Sequence, residues 1–342
     1  MTQNFKLFVS HSDIAKTPHI ATVDYRDRGF HYGDGCFTTL YCENNRVYLF
    51  EAHIERLVND ATRIKINIDI TLLRARVVQA LQPLLSANIR SLAIKIVLTR
   101  GTGGRGYEPP SRCVPHVYIS LHHCAPGLAA CTESAVAEHC VTLCSFPLAS
   151  QPLLAGIKHI NRLEQVLAKH ELIARNKEIS ARETSAPDNI AREKIAQATI
   201  AQATIAQNQD SAIYHDLLLL DASDYLIESS AGNVFFYVDK VWRTPLLNQC
   251  GVSGVMRDAI MRFMLDNNVA VEEGRYRIQD LYRAESLFTC NAIKHITPVT
   301  EVLSDEFGKT DRQQLSNQHT RKLIMGFYPF LQKAHIDFGA DR

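Results

Sequence analysis

Residues 155–166 read Ala155-Gly156-Ile157-Lys158-His159-Ile160-Asn161-Arg162-Leu163-Glu164-Gln165-Val166, and the rest of the chain is organised around them. The small pair Ala155-Gly156 lets other groups come close to Lys158. From Leu163 the spacing turns helical: Leu163, Val166 and Leu167 share a face, with His170 and Glu171 one turn further on. A lysine fixed at the mouth of a helix can form a Schiff base with an aldehyde. By itself the stretch favours the blander alternative, a solvated surface lysine, because most lysines are exposed. The company Lys158 keeps elsewhere decides between them.

On the N-terminal side, residues 5–9 and 20–24 have the pattern of short strands. Asp27 to Gly35 carries three glycines and two aspartates and predicts a loop, and Cys36 to Tyr41 alternate as a strand. In that strand Phe37 and Thr39 share a face, with Thr38 on the other. The threonines fit β propensity alone, and they equally fit a pocket wall. Glu51 to Asn67 predicts an amphipathic helix with Ile54, Leu57, Val58, Ala61 and Ile64 as its stripe. His53 and Arg56, three apart, project from one side of it, and Arg56 is either solvated or an anion clamp. A second helix is expected over 71–87 and strands over 92–99 and 114–122.

Between those strands lies Arg100-Gly101-Thr102-Gly103-Gly104-Arg105-Gly106-Tyr107. It matches the dinucleotide pattern Gly-x-Gly-x-x-Gly and follows a strand. The match then fails, because Tyr107-Glu108-Pro109-Pro110 cannot open the helix whose N-terminus would hold a pyrophosphate. An arginine-bearing rim able to meet a carboxylate is the better expectation.

Past a turn-rich boundary at 123–134, a strand over 136–146 leads to the Lys158 stretch and a helix ending near Arg175. Residues 176–212 contain the repeats Ile195-Ala-Gln-Ala-Thr and Ile200-Ala-Gln-Ala-Thr. Residues five apart fall on different helix faces, so no apolar stripe forms, and a surface insertion without chemistry is expected. Further on, Glu228 interrupts a hydrophobic run. It is either a bulge or edge position, or a carboxylate paired with a positive group. Ser253 is expected to cap a helix running to Asn267, with the Gly254 and Val255 amides free to meet an anion. A strand over 286–290 ends in Asn291-Ala292, another backbone site. A final helix is predicted over 311–333, with Phe327, Tyr328 and Phe330 as packing residues.

The totals narrow the class of function. With 342 residues, 46% hydrophobic and 21% charged, two ordinary domains are expected, and a net charge of +1 gives no electrostatic case for nucleic acid or a membrane surface. The nine cysteines form no Cys-x-x-Cys and no metal-site spacing, so reduced thiols and no metal are expected. The start Met1-Thr-Gln-Asn-Phe-Lys6 lacks the pattern of a signal peptide, and a soluble cytoplasmic protein follows as the expectation.

One lysine, one glutamate among hydrophobic strands, one arginine on a helix and one open helix N-terminus are what a phosphorylated aldehyde cofactor needs. Four motifs carry a resemblance to a known family: Tyr32-Gly-Asp-Gly-Cys-Phe-Thr-Thr39, Arg100 to Tyr107, Leu154 to Val166, and Gly251-Val-Ser-Gly-Val-Met-Arg257. With them the chain resembles the fold-type IV pyridoxal 5′-phosphate enzymes, which include branched-chain and D-amino-acid aminotransferases and a carbon–oxygen lyase branch. The lysine stretch speaks for the lyase branch, whose members convert 4-amino-4-deoxychorismate to p-aminobenzoate and pyruvate. An aminotransferase is the alternative on the same fold, and an interaction protein working through 176–212 is a more distant one.

The resemblance implies a two-domain α+β or α/β fold. It has a small N-terminal α/β domain over 1–122, a linker over 123–134, and a larger cofactor-binding domain with a β-barrel-like core over 135–342. It also implies roles. Lys158 would carry the cofactor aldehyde, and Thr39 would assist proton transfer. Glu228 would pair with the pyridine nitrogen. Arg56, Gly254, Val255, Asn291 and Ala292 would hold the phosphate. Tyr32, Phe37, Arg100, Arg105 and Tyr107 would face a small-molecule substrate, near the interface of a homodimer.

Overall fold

The computed structural model describes residues 5–11, 21–85, 91–125, 139–185, 214–304 and 311–339. Strict alternation builds the first sheet. β1 (Lys6–His11), β2 (Gly35–Glu43), β3 (Arg46–Tyr48), β4 (Ser91–Thr99) and β5 (His116–His123) are joined by β15 (His335–Asp337), in the order β1-β5-β4-β2-β3-β15. Leu40, Ile94, Ile96 and Leu98 are fully buried on one face, while Phe37, Thr39, Lys95 and Val97 are half-buried on the other. Helices α2 (Phe50–Arg63) and α3 (Ile70–Leu81) cover the first face. Ile54, Leu57, Ala61, Leu73, Val77 and Leu81 close one apolar core with the strands.

The second sheet curls into a half-barrel. Its strands are β6 (His139–Leu143), β7 (Asp216–Leu220), β8 (Leu226–Ser229), β9 (Asn233–Val238), β10 (Val241–Pro245), β11 (Val271–Gly274), β12 (Ser286–Asn291), β13 (His295–Ser304) and β14 (Asp311–Gln314). They run in the order β11-β10-β9-β12-β13-β6-β7-β8, with β14 paired to β13. Helices α5 (Val255–Asp266) and α7 (Gln318–Lys333) pack on it through Ile260, Met264, Phe327 and Leu331, against Phe235 and Phe288. α4 (Leu163–Ser185) packs through Ala168 and Leu172. The short α6 (Ile278–Leu281) closes a third apolar cluster.

Several expectations change. Arg28–Tyr32 is a short helix, α1, capped by Asp27, whose side chain accepts from the Gly29 amide. Residues 21–24 are not a strand, and 311–314 are strand β14 rather than the start of α7, because β13 offers them an antiparallel partner. α4 continues beyond Arg175 to Ser185, and its Leu163, Val166 and Leu167 point to solvent. The apolar spacing was real, but its face is the outer one. β15 returns to the first sheet, although it belongs to the 135–342 segment. Most of the 176–212 insertion, from 186 onward, and the 126–134 part of the linker lie outside the described residues.

One core residue predicts acid sensitivity. His295 is fully buried at φ 56°, with its ring edge-on to Tyr41 at 4.8 Å and to Tyr328 at 6.1 Å. Burial lowers its pKa from 6.5 to about 4. The unfolded chain therefore binds this proton at higher pH than the folded one, and the stability due to neutral His295 is complete above about 6.5 and lost as pH falls toward about 4. The expected limiting slope is about 1.4 kcal/mol per pH unit. Urea midpoints between neutral and mildly acidic pH should show it, and His295→Asn, which tolerates the left-handed backbone, should flatten it. An unchanged slope in that variant would assign the acid sensitivity to other groups.

Candidate active site

The Lys158 stretch runs along the seam between the two sheets. On one side it extends β2: the Phe37 amide donates to the Lys158 carbonyl at 2.9 Å, and the Ile160 amide to the Gly35 carbonyl at 3.1 Å. On the other, the Gly156 amide donates to the Gly251 carbonyl, and the Ser253 amide to the Gly156 carbonyl, both at 3.0 Å. Switching partners within so few residues needs a left-handed turn, and Gly156 supplies it at φ 81°. The Lys158 amide is held by Asp60 Oδ2 of α2 at 3.0 Å.

From this seam the Lys158 side chain enters a cavity of about 290 Å³. Its Nζ sits 4.8 Å from the centroid of the Phe37 ring, so Phe37 is a platform for the amine. Burial, followed by Arg56 and Arg162, lowers the amine's pKa to about 8, with Glu228 opposing. The neutral amine is therefore available near physiological pH. Glu228 stands on β8, where the ladder with β7 shifts register, as expected of a bulge position. Its Oε2 accepts from the Val252 amide at 2.9 Å, and its Oε1 from Gln165 Nε2 at 3.4 Å. Burial raises its carboxyl above the usual range; the Val252 hydrogen bond, Arg162 and Lys158 resist this.

The far end of the cavity collects donors. Arg56 Nη2 donates to Thr38 Oγ1 at 2.5 Å and to the Phe37 carbonyl at 3.2 Å. Its Nε and Nη1 are buried without a hydrogen-bond partner, with Asp60 3.7 Å from Nη1. Thr38 Oγ1 lies 2.6 Å from His53 Nδ1. Thr38 Oγ1 accepts from Arg56 and shares a second hydrogen bond with His53, whose direction is set by the imidazole tautomer. Burial holds the His53 pKa well below 6.5, which keeps the imidazole neutral and able to accept.

Gly254, not Ser253, is the N-cap of α5, and no side chain caps that helix. A Cβ at Gly254 would lie 2.3 Å from Asn233 Oδ1, so only glycine lets this helix start so close to β9. Gly254 and Val255 line the cavity together with Arg56, Asn291 and Ala292. The turn after β12 is organised by Asn291, whose Oδ1 accepts from the Ile293 and Lys294 amides and whose Nδ2 donates to the Ala231 carbonyl.

Thus Thr39, Arg56, Lys158, Glu228, Gly254, Val255, Asn291 and Ala292 converge on one cavity. Arg100 does not join them. Its guanidinium donates to Asp34 and to the Ile64 and Lys65 carbonyls, so its expected place facing the substrate is corrected to a structural one. Tyr32 and Arg105 line a separate surface cavity of about 400 Å³, and Tyr107 is 88% exposed. Tyr32 ends α1, and the glycine-rich loop that carries Arg105 and Tyr107 has no helix after it. It is pinned by buried Arg28, which donates to the carbonyls of Gly106, Tyr107 and Glu108 and to Asp34.

Sequence reasoning missed Arg162, Gln165, His53 and Asp60 as parts of the site. Arg162 is four residues from Lys158 and Asp60 four from Arg56, and that spacing was the available signal.

The family described as Amino-transferase class IV matches residues 35–182 and 179–302, segments that hold Lys158, Glu228 and Gly254. The chain belongs to the class IV aminotransferases. Among its class IV relatives is the aminodeoxychorismate lyase of Vibrio harveyi, 30% identical over 302 residues, 86% of this chain and 94% of that protein. The solved structure of 4-amino-4-deoxychorismate lyase from Pseudomonas aeruginosa aligns with a TM-score of 0.66 at 28% identity, covering 90% of this chain and 94% of that one. A branched-chain aminotransferase from Thermoproteus uzoniensis shares the fold at 18% identity, with a TM-score of 0.69 over 92% of this chain and 91% of its own. The class IV fold is thus common to lyases and transaminases, and the site must separate them.

Proposed function

We propose that this class IV protein is a pyridoxal 5′-phosphate-dependent carbon–oxygen lyase that converts 4-amino-4-deoxychorismate to p-aminobenzoate and pyruvate. The observation that carries it is the desolvated Lys158 amine, sharing one cavity with a buried carboxylate and with buried, unpartnered Arg56 nitrogens. The whole-length similarity to the Vibrio harveyi lyase favours elimination over transamination.

The residues present fit the cofactor. Arg56 Nε and Nη1 lack hydrogen-bond partners, and the uncapped start of α5 and the Asn291–Ala292 turn line the same cavity, a donor set suited to phosphate. Lys158 is the amine for its aldehyde and Glu228 the partner of its ring nitrogen. When bound, the cofactor supplies an electron sink for the electron pair left by a broken C–H bond.

The chain's own groups do the rest. Lys158 Nζ, neutral because burial and its cationic neighbours depress its pKa, takes the proton from the carbon bearing the substrate amine. Thr39, on the Phe37 face of β2, assists that transfer through its hydroxyl. Glu228 keeps the ring nitrogen's proton in place. Loss of that C–H proton and of the neighbouring enolpyruvyl oxygen leaves an aromatic ring, which makes the elimination strongly downhill.

Tyr32, Arg105 and Tyr107 lie apart from this cavity on an exposed loop and helix, so they serve the substrate by reaching the site of a second copy. Cys36, Cys42, Cys113, Cys124, Cys144, Cys250 and Cys290 are free thiols, which supports a reducing cytoplasmic setting, and no described helix is long and apolar enough to cross a membrane. With 4-amino-4-deoxychorismate as substrate, equal amounts of p-aminobenzoate and pyruvate are expected, read by fluorescence and by a lactate dehydrogenase couple. If neither forms while D-alanine or leucine converts the bound cofactor to its amine form, the protein is an aminotransferase.

A further inference from the structure

Arg162 stands where the catalytic cavity meets a neighbouring one of about 260 Å³, just ahead of α4. Its guanidinium turns back on the reactive stretch. Nη2 donates to the Ile157 carbonyl at 2.6 Å and Nε to the His159 carbonyl at 2.9 Å. These are the carbonyls on either side of Lys158. The lysine's own amide is taken by Asp60 and its own carbonyl by the Phe37 amide. Every backbone polar group from the Ile157 carbonyl to the His159 carbonyl, the His159 amide apart, is thereby tied down, and Arg162 alone holds both ends.

We infer that Arg162 is the positioning residue for Lys158, clamping its backbone from both sides. A planar fork can reach two carbonyls at once and a lysine cannot, so clamp and charge are separable. The charges around the Lys158 amine come from several elements. Arg56 acts on it from α2, Lys95 from β4, Glu228 from β8 and Arg162 from ahead of α4, while Asp60 of α2 takes the backbone amide and His53 is neutral. Among the cations, Arg56 is committed to Thr38 and the Phe37 carbonyl, and Lys95 lies against the Phe37 ring. Arg162 is the one whose removal changes the charge on Lys158 without opening the donor set at the far end of the cavity.

Because Arg162 acts through Lys158, its role rests on Lys158 being the reactive amine. The test uses the full chain without cofactor. Acetic anhydride, which acylates only the free base, is applied across a pH series, and Lys158 acylation is read by peptide mass spectrometry. In the wild type the half-reactive pH should lie near 8. In Arg162→Gln it should rise by about half a unit or more, because a neighbouring positive charge is gone. Arg162→Lys should keep the wild-type half-reactive pH and still lose about tenfold or more in turnover, because the charge remains and the clamp does not. A half-reactive pH in Arg162→Gln equal to the wild type overturns the electrostatic role, and full turnover in Arg162→Lys overturns the clamp. Should Arg162→Gln fail to fold, the Arg162→Lys turnover still decides. If acylated Lys158 leaves turnover intact, it is the assignment of Lys158 itself that fails.

Discussion

Lys158→Ala is expected to lower turnover by on the order of 10⁴-fold or more and to remove the visible absorption that covalent attachment of the cofactor to a lysine produces. The size of the effect follows from the geometry. In the proposed mechanism one side chain both holds the cofactor and carries the proton, so its removal deletes two functions at once. Lys294, the other lysine lining the cavity, is exposed where Lys158 is buried. His53 is neutral but committed to Thr38, and Arg56 and Arg162 do not give up a proton in the physiological range. The fold should survive, because Asp60 and Phe37 hold the backbone of residue 158 rather than its side chain. Activity retained in this variant, measured as p-aminobenzoate formed, would move the chemistry to another residue and undo the assignment.

Glu228→Gln is expected to keep cofactor bound while slowing proton removal by about 10²-fold, or ~2.7 kcal/mol of barrier. The amide oxygen can still accept from the Val252 amide, so β8 and the start of the following turn stay in place. What is lost is the negative charge that the proposed arrangement puts beside the ring nitrogen. Buried as it is, that charge acts without screening by water, which is why a change that removes no hydrogen-bond acceptor should still cost so much. Exchange of the substrate's amine-bearing C–H with solvent deuterium reads the step directly. An unchanged exchange rate would mean that another group partners the nitrogen. A variant that no longer binds cofactor would show that Glu228 acts in binding more than in proton removal.

The order of local elements was legible in the sequence wherever period and burial agreed. β2, β4 and β5 alternate strictly because one face of their sheet meets α2 and α3 and the other stays half-open. The α2 stripe of Ile54, Leu57 and Ala61 is buried as its spacing requires. The candidate site residues Thr39, Arg56, Lys158, Glu228, Gly254, Val255, Asn291 and Ala292 could be named because four motifs resemble the fold-type IV enzymes, whose phosphorylated aldehyde demands an amine, a carboxylate and a set of donors.

What stayed illegible depended on partners distant in sequence. Arg100 has the look of a substrate arginine until Asp34 and two carbonyls, 35 and 36 residues before it, take its donors. The apolar face of α4 looks inward by period, yet the core receives Ala168 and Leu172 instead, because helix spacing specifies a stripe and not the side on which the rest of the protein lies. Residues 311–314 read as helix until β13 gives them a ladder.

By itself, then, the sequence determined the elements with a strong period, the inventory of chemically able side chains, and the absence of charge suited to nucleic acid. Only the tertiary structure decided which of those side chains share a cavity, that Lys158 is desolvated, and that Arg162 grips it from behind. The physical reason is range. Periodicity and propensity act over one or two turns, whereas burial, pKa and hydrogen-bond saturation are set by whatever the fold brings into contact.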